Sequence, residues 1–238
     1  MKNYQINRQV IYKQIKQKIV ELIRDGVYTP AKPLPSEIQL AGQFSVSQGS
    51  IRQALEELSR ENVLYRIQGK GTFVSDYSNE EELFRFFKIN NEDGNKIIPK
   101  SEFIECHKIK GEQAIKEKLN VAQSESLYKI SRYRCLENVR QVYEILFMPV
   151  SIFPSLHTKD IPNHIYSLYS SEYGKVVGKV TESIKATCTP KVAKELNLPE
   201  DTPLLLIERI TTDIEETPIE LRKTWLNTEH CYYCNQLT

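Results

Sequence analysis

An α+β chain in two parts, a winged helix-turn-helix followed by an antiparallel-sheet domain, is predicted by three observations. Residues 35–74 read as two short helices and a glycine-tipped hairpin. Beyond residue 85, strand-like and helix-like segments alternate, and several strands are joined by short links, which favours an antiparallel sheet over a doubly wound one. Charge divides at the same place: residues 1–75 hold 11 Lys and Arg against 6 Asp and Glu, a net +5, whereas residues 76–238 hold 21 against 25, a net −4. A chain of 238 residues is long enough for two domains, here 1–75 and 85–238 with a polar linker at 76–84 ending in Glu80, Glu81 and Glu82.

In the first part, Ser36 caps a short helix whose apolar side is Ile38, Leu40, Ala41 and Phe44, because its hydroxyl can accept from a free N–H of the first turn. A few residues around Ser45 and Val46 then lead to a second helix, the separation expected of a helix-turn-helix. Ile51, Ala54, Leu55 and Leu58 recur at helical spacing and face inward, which leaves Gly49, Arg52, Gln53 and Glu56 outward, with Gln48 on the shoulder. Ser47 marks the start of this helix. Val63–Ile67 and Thr72–Val74 are β-prone and joined by Gln68-Gly69-Lys70-Gly71, a narrow tip whose backbone can lie close to phosphate or enter a minor groove.

These groups suit nucleic acid. Gln48 can pair with adenine N6 and N7, and Arg52 can reach guanine or a phosphate. A basic segment gains from counterion release on DNA, while an acidic one is repelled. Gly49 costs a first-turn position roughly 1 kcal/mol against alanine. Either the backbone must approach a groove edge or phosphate closely there, or a fraying helix end tolerates the glycine.

Tyr12-Lys13-Gln14-Ile15, Gly26-Val27-Tyr28, Leu34-Pro35-Ser36-Glu37, Val46-Ser47, Ile51-Arg52-Gln53-Ala54-Leu55 and Gln68-Gly69-Lys70-Gly71-Thr72-Phe73-Val74 together resemble the DNA-binding domain of the GntR family of bacterial transcription regulators. The resemblance implies DNA contacts from Ser36, from Ser47, Gln48, Gly49 and Ser50 at the start of the recognition helix, from Arg52, and from Gln68, Gly69 and Lys70 on the wing. Many members carry arginine where this chain has Gln48, and often another where it has Ile38, so no arginine contact is carried over at either place. Glutamine suggests adenine at that operator position.

In the second part the pattern predicts strands at 101–109, 126–136, 140–148, 176–188, 203–213 and 218–227, helices at 112–119, 162–173 and 190–197, and a turn at 90–94 after an apolar segment begun by Leu83, Phe84, Phe86 and Phe87. Arg132-Tyr133-Arg134, Tyr143-Glu144, Ser167-Leu168-Tyr169, Glu182 and Pro218-Ile219-Glu220-Leu221-Arg222 resemble the UTRA effector-binding domain of the HutC branch, whose layout is also that of chorismate lyase. Arg132 and Arg134 lie two apart in a strand and share a side, so with Arg222 they can form a forked donor set for a carboxylate or phosphate. Glu144, Glu182 and Glu220 could accept from hydroxyls or amines of the same ligand, or all six could be strand-face ion pairs with no ligand. The resemblance adds Ser167 and Tyr169 to the effector site.

The expectation is therefore a ligand-responsive regulator, a repressor acting as a homodimer on an inverted-repeat DNA operator and switched by a small anionic metabolite. A lyase-like enzyme is the alternative. Catalytic residues are not assigned: His107, His157, His164 and His230 are scattered, and neither a nucleophile–base pair nor a Gly-rich phosphate loop is evident. Cys231 and Cys234 make a Cys-x-x-Cys that could give a metal two thiolates, but a second ligand pair is missing nearby, so no metal or cofactor is assigned and all five cysteines read as reduced thiols. Without a signal core or a run of about 18 apolar residues, a soluble cytoplasmic protein and no membrane partner are expected.

Overall fold

The computed structural model describes residues 8–30, 32–60, 63–75 and 86–235. The linker expected at 76–84 and the apolar residues Leu83 and Phe84 lie outside them.

The head packs three helices, α1 (Arg8–Arg24), α2 (Glu37–Phe44) and α3 (Gln48–Arg60), against a hairpin of β1 (Leu64–Ile67) and β2 (Gly71–Val74). Its core holds Leu40, Ile51, Ala54, Leu55 and Leu58 with Ile15 and Ile19 of α1, whereas Ile38, expected on the apolar side of α2, points outward and is 72% exposed. Ser36 and Gln39 form a reciprocal capping box at the start of α2, a device that typically contributes about 1 kcal/mol. Ser45 closes that helix in the left-handed region at φ 54°. This turns the chain tightly into α3.

The body is a six-stranded sheet with every pair antiparallel, in the order β4 (Lys100–Ile109), β5 (Leu127–Leu136), β6 (Val139–Pro149), β9 (Pro218–Leu226), β8 (Pro203–Asp213), β7 (Val177–Cys188). Side chains alternate between its faces. One face holds Ile130, Leu146 and Met148 under α5 (Ile165–Tyr173), which adds Tyr166 and Tyr169. The other is covered by α4 (Gln113–Lys118), packing Ile115 near Phe147 and Leu221, and by α6 (Pro190–Glu195), packing Val192 near Tyr143 and Trp225.

Two differences from the sequence reading have clear causes. The turn expected at 90–94 is shorter, because Ile89–Asn91 is a strand, β3, paired antiparallel with β10 (Cys231–Tyr233). The helix expected at 162–173 begins only at Ile165. Ahead of it, the Asn163 side chain donates to Pro99 O at 3.0 Å and accepts from Arg134, contacts that hold the backbone outside the helix.

Head and body touch at the β8–β9 turn. Ile214 and Val176 pack against the head core, and Arg24 Nη1 lies 2.9 Å from Glu215 Oε1.

Candidate DNA-reading surface and buried arginine cavity

On the head, Ser36, Ser47, Gln48, Gly49, Arg52, Gln68, Gly69 and Lys70 are exposed and Ser50 is half-buried, and Gln48 and Arg52 are brought together with the wing strand through Glu37. Ser47 Oγ accepts from Ser50 N at 3.2 Å and shares a 2.9 Å hydrogen bond with Ser50 Oγ, so it caps α3 as anticipated. Glu37 of α2 organises the rest. It accepts from Arg52 Nε at 3.0 Å, from Gln48 Nε2 at 3.3 Å and from Arg66 Nη2 of the wing strand at 3.4 Å. Burial opposes the charge on Glu37, but the hydrogen bonds from Arg52 and Gln48 outweigh it and hold the carboxyl below its ordinary range. Neither Glu37 nor Arg66 was singled out from the sequence, although Glu37 stood in the Leu-Pro-Ser-Glu motif.

Two glycines differ in what they require. Gly69 sits at φ +75° with open space around it, and the tip closes through Lys70 N to Ile67 O at 3.0 Å; here the backbone itself calls for glycine. At Gly49 an added Cβ would meet only Ser47 Oγ at 3.9 Å. The protein's own packing therefore leaves room for a side chain at Gly49.

In the body, Arg132, Arg134 and Arg222 do converge, and a fourth arginine joins them. Arg209 stands opposite Arg222 in the sheet register, and the four line a small cavity of about 30 Å³ with Phe86, Phe87, Asn163, His164, Ile165 and Tyr166. Each guanidinium is held. Arg132 Nε donates to Glu144 Oε2 at 2.8 Å, and Thr224 supports that carboxylate at 3.1 Å. Arg222 makes two bonds to Glu220, at 3.0 and 2.8 Å. Arg209 donates to Glu182 at 2.8 and 2.6 Å, to Tyr166 OH at 3.3 Å and to the Phe86 carbonyl. Arg134 Nη1 donates to Asn163 O and Oδ1 at 2.8 and 3.0 Å.

Among the described residues, four guanidiniums thus face three carboxylates, and the deficit is local. Arg132 Nη1 and Arg134 Nε are buried donors with no hydrogen-bond partner among the described residues; a buried unsatisfied donor costs about 1–3 kcal/mol, more when charged. Burial, followed by the charge on Arg132, pulls the Arg134 pKa down to about 9. Burial and the same two arginines push His164 down to about 4. Glu144, opposed by burial but surrounded by Arg132, Arg222 and Arg134, is held far below the usual carboxylate range. Such a site stabilises an added negative charge.

The remaining expected effector residues stand elsewhere. Glu144 and Glu220 are counter-ions behind the cavity wall, and Glu182 borders a neighbouring larger space. Tyr169 is fully buried with its hydroxyl on Glu220, and Ser167 Oγ donates to His164 O at 2.6 Å in the first turn of α5. Sequence reasoning missed Arg209, Asn163, His164, Tyr166, Phe86 and Phe87 as cavity lining. Cys231 is buried, with its thiol on Asn227 O and pushed up to about 11 by burial, and no group of three or more His, Cys, Asp or Glu that could hold a metal occurs among the described residues. None of the described helices is long and apolar enough to cross a membrane.

Residues 11–74 match the family model described as bacterial regulatory proteins, gntR family, and residues 95–231 match the UTRA domain. Over 204 residues, 84% of each chain, this sequence is 29% identical to the HTH-type transcriptional repressor NagR of Bacillus subtilis (strain 168). It is 25% identical over 197 residues, 82% of each chain, to the mannosyl-D-glycerate transport/metabolism system repressor MngR of Escherichia coli (strain K12). The fold is similar to that of the possible transcriptional regulator YydK of Bacillus subtilis subsp. subtilis str. 168, with a TM-score of 0.57 over 96% of this chain and 99% of the other at 24% identity.

Proposed function

Because the chain belongs to the GntR family of bacterial regulatory proteins and carries a UTRA domain behind its winged head, we propose that it is a repressor released or engaged by a small anion seated among Arg132, Arg134, Arg209 and Arg222. Its class of activity is that of its relatives, ligand-responsive DNA-binding transcriptional regulation.

The observation that carries the effector reading is the pair of orphaned donors, Arg132 Nη1 and Arg134 Nε, in a cavity where cations outnumber carboxylates. A phosphate or carboxylate there gains charge-assisted hydrogen bonds that no described side chain supplies. One relative is named for mannosyl-D-glycerate transport and metabolism, a metabolite that bears a carboxylate, and this supports a small polar acid as the ligand class. The protein would act in the cytoplasm as a homodimer on an inverted repeat, with the start of α3 in the major groove and the Gly69-Lys70 tip at a minor groove or phosphate. Regulation without catalysis is the reading we favour, since the cavity's charged groups are guanidiniums, which neither accept nor release protons readily, and His164 has its proton affinity suppressed.

Inorganic phosphate is the simplest probe. In a thermal-shift titration it should raise the melting temperature, since a ligand at about 100 times its Kd adds about 2.7 kcal/mol to stability. Arg134→Ala should abolish the rise, and an undiminished rise in that variant would rule out the arginine cavity as the anion site.

A further inference from the structure

The inner cavity, about 30 Å³, is comparable to the roughly 30 Å³ share of one water molecule in the liquid. It has room for one terminal oxygen of a carboxylate or phosphate and leaves the remainder of a metabolite outside. A second space of about 540 Å³ shares Phe86 and Arg209 with it and opens between body and head. Phe86 packs edge-on against Tyr166 at 5.6 Å, and its carbonyl is held by Arg209, so these residues form the boundary between the two spaces.

Three cations from separate parts of the chain border the outer space: Arg60 at the last position of α3, Lys88 just before β3 and Lys179 on β7. Among the described residues of its wall, Glu182 is the single carboxylate, and it is committed to Arg209 at 2.6 Å and to the Tyr233 hydroxyl. Among the described residues, positive charge is therefore in excess in both spaces, which share Phe86 and Arg209 as a boundary. A concave site lined by one sign of charge focuses the field on an oppositely charged ligand.

We propose that the effector carries an anionic group at each end, one seated among the buried arginines and the other held in the outer space by Arg60, Lys88 and Lys179. This rests on the anion reading of the inner cavity given above. Arg60 belongs to the helix whose first turn is presented to DNA, so such a molecule touches the sensing body and the reading head at once. A ligand with a neutral tail fills the inner cavity and leaves the contact with α3 unmade. The second charge thus decides whether occupancy is transmitted to the head, because a ligand shifts a conformational equilibrium only through contacts that differ between the two conformations.

Calorimetric titration of the full chain with inorganic phosphate, fructose 6-phosphate and fructose 1,6-bisphosphate tests this. The bisphosphate should bind roughly tenfold more tightly than the monophosphate at low salt, a difference of about 1.4 kcal/mol. The doubly substituted Arg60→Ala/Lys179→Ala protein should lose that advantage and keep its affinity for inorganic phosphate, whereas Lys191→Ala, on α6 across the sheet, should keep both. Arg60 and Lys179 are exposed, and an unchanged melting temperature confirms that the variant folds. Equal affinity for the two sugar phosphates, or an advantage that survives the double substitution, overturns the proposal. Phosphate binding that is absent, or that persists in Arg134→Ala, instead overturns the inner-cavity reading on which it rests.

Discussion

Head and body use the same pair of side chains under opposite conditions. Arg52 and Glu37 meet on the surface with 55% and 22% of their side chains exposed, whereas Arg132 and Glu144 meet with 1% and 3%. Water and salt weaken the first pair, so Arg52 can leave Glu37 for a phosphate or a base edge at little loss. The second pair has no such freedom. Its charges have given up hydration that only their mutual contact and further hydrogen bonds replace. The exposed arginine is free to exchange partners, as the proposed DNA contact requires, and the buried one is fixed in place.

The sharpest way to break this contrast is to remove one charge of the buried pair. Glu144→Gln leaves Arg132 without its counter-ion and should destabilise the fold by about 3–5 kcal/mol in urea unfolding; a loss below about 1 kcal/mol would place the pair in the same class as the surface one. The pH dependence follows from the depressed pKa of Glu144 in the fold. Its contribution is complete above the unfolded carboxyl value of about 4.3 and declines as pH falls below that toward the folded value. Wild-type stability should thus drop between pH 4 and 3 more steeply than that of Glu144→Gln, within about one pH unit of the reference value.

The matching change on the head should behave in the reverse sense. Arg52→Ala is expected to weaken operator binding roughly ten- to a hundredfold in a gel-shift titration while leaving the unfolding midpoint where it was. Equal operator affinity with and without the arginine would remove Arg52 from the reading surface. A smaller effect is expected at Gly49, where an added methyl meets only Ser47 Oγ at 3.9 Å. Gly49→Ala should leave stability unchanged or raise it by about 0.5–1 kcal/mol, yet weaken operator binding if the helix backbone lies against DNA. An alanine variant that binds as well as wild type favours a helix end that merely tolerates glycine.

The sequence was most legible where structure is local. Helical spacing gave the inward face of α3, and Ser36 and Ser47 marked the two helix starts they cap. The six long strands of the body are those the alternating pattern predicted. Legibility fell where pairing is remote. β3 and β10 are three residues each and separated by most of the body, too short for periodicity to register. Arg132 and Arg134 were read together because two residues on one strand share a side, but Arg209 was missed because its place beside Arg222 is a matter of register. Counting back from the last pair before the turn, Thr212 with Pro218, would place Arg209 opposite Leu221, and only the register shift between Thr211 and Thr212 brings it opposite Arg222. Asn163 and His164 had no such cue, since only the shortened start of α5 brings them to the cavity.

The two unpartnered donors of the arginine cavity also bear on how this protein can change. Replacing a whole buried ion pair by apolar groups of similar volume is often neutral or stabilising, whereas removing one partner is costly, so a sturdier body would need Arg132 and Glu144 to change together. Selection for thermal endurance alone would favour variants in which such pairs are replaced together by carbon, at the expense of the proposed anion site. Among the described residues, four guanidiniums stand against three carboxylates beneath α5; for the anion site proposed above, stability held below its attainable value is the expected trade-off.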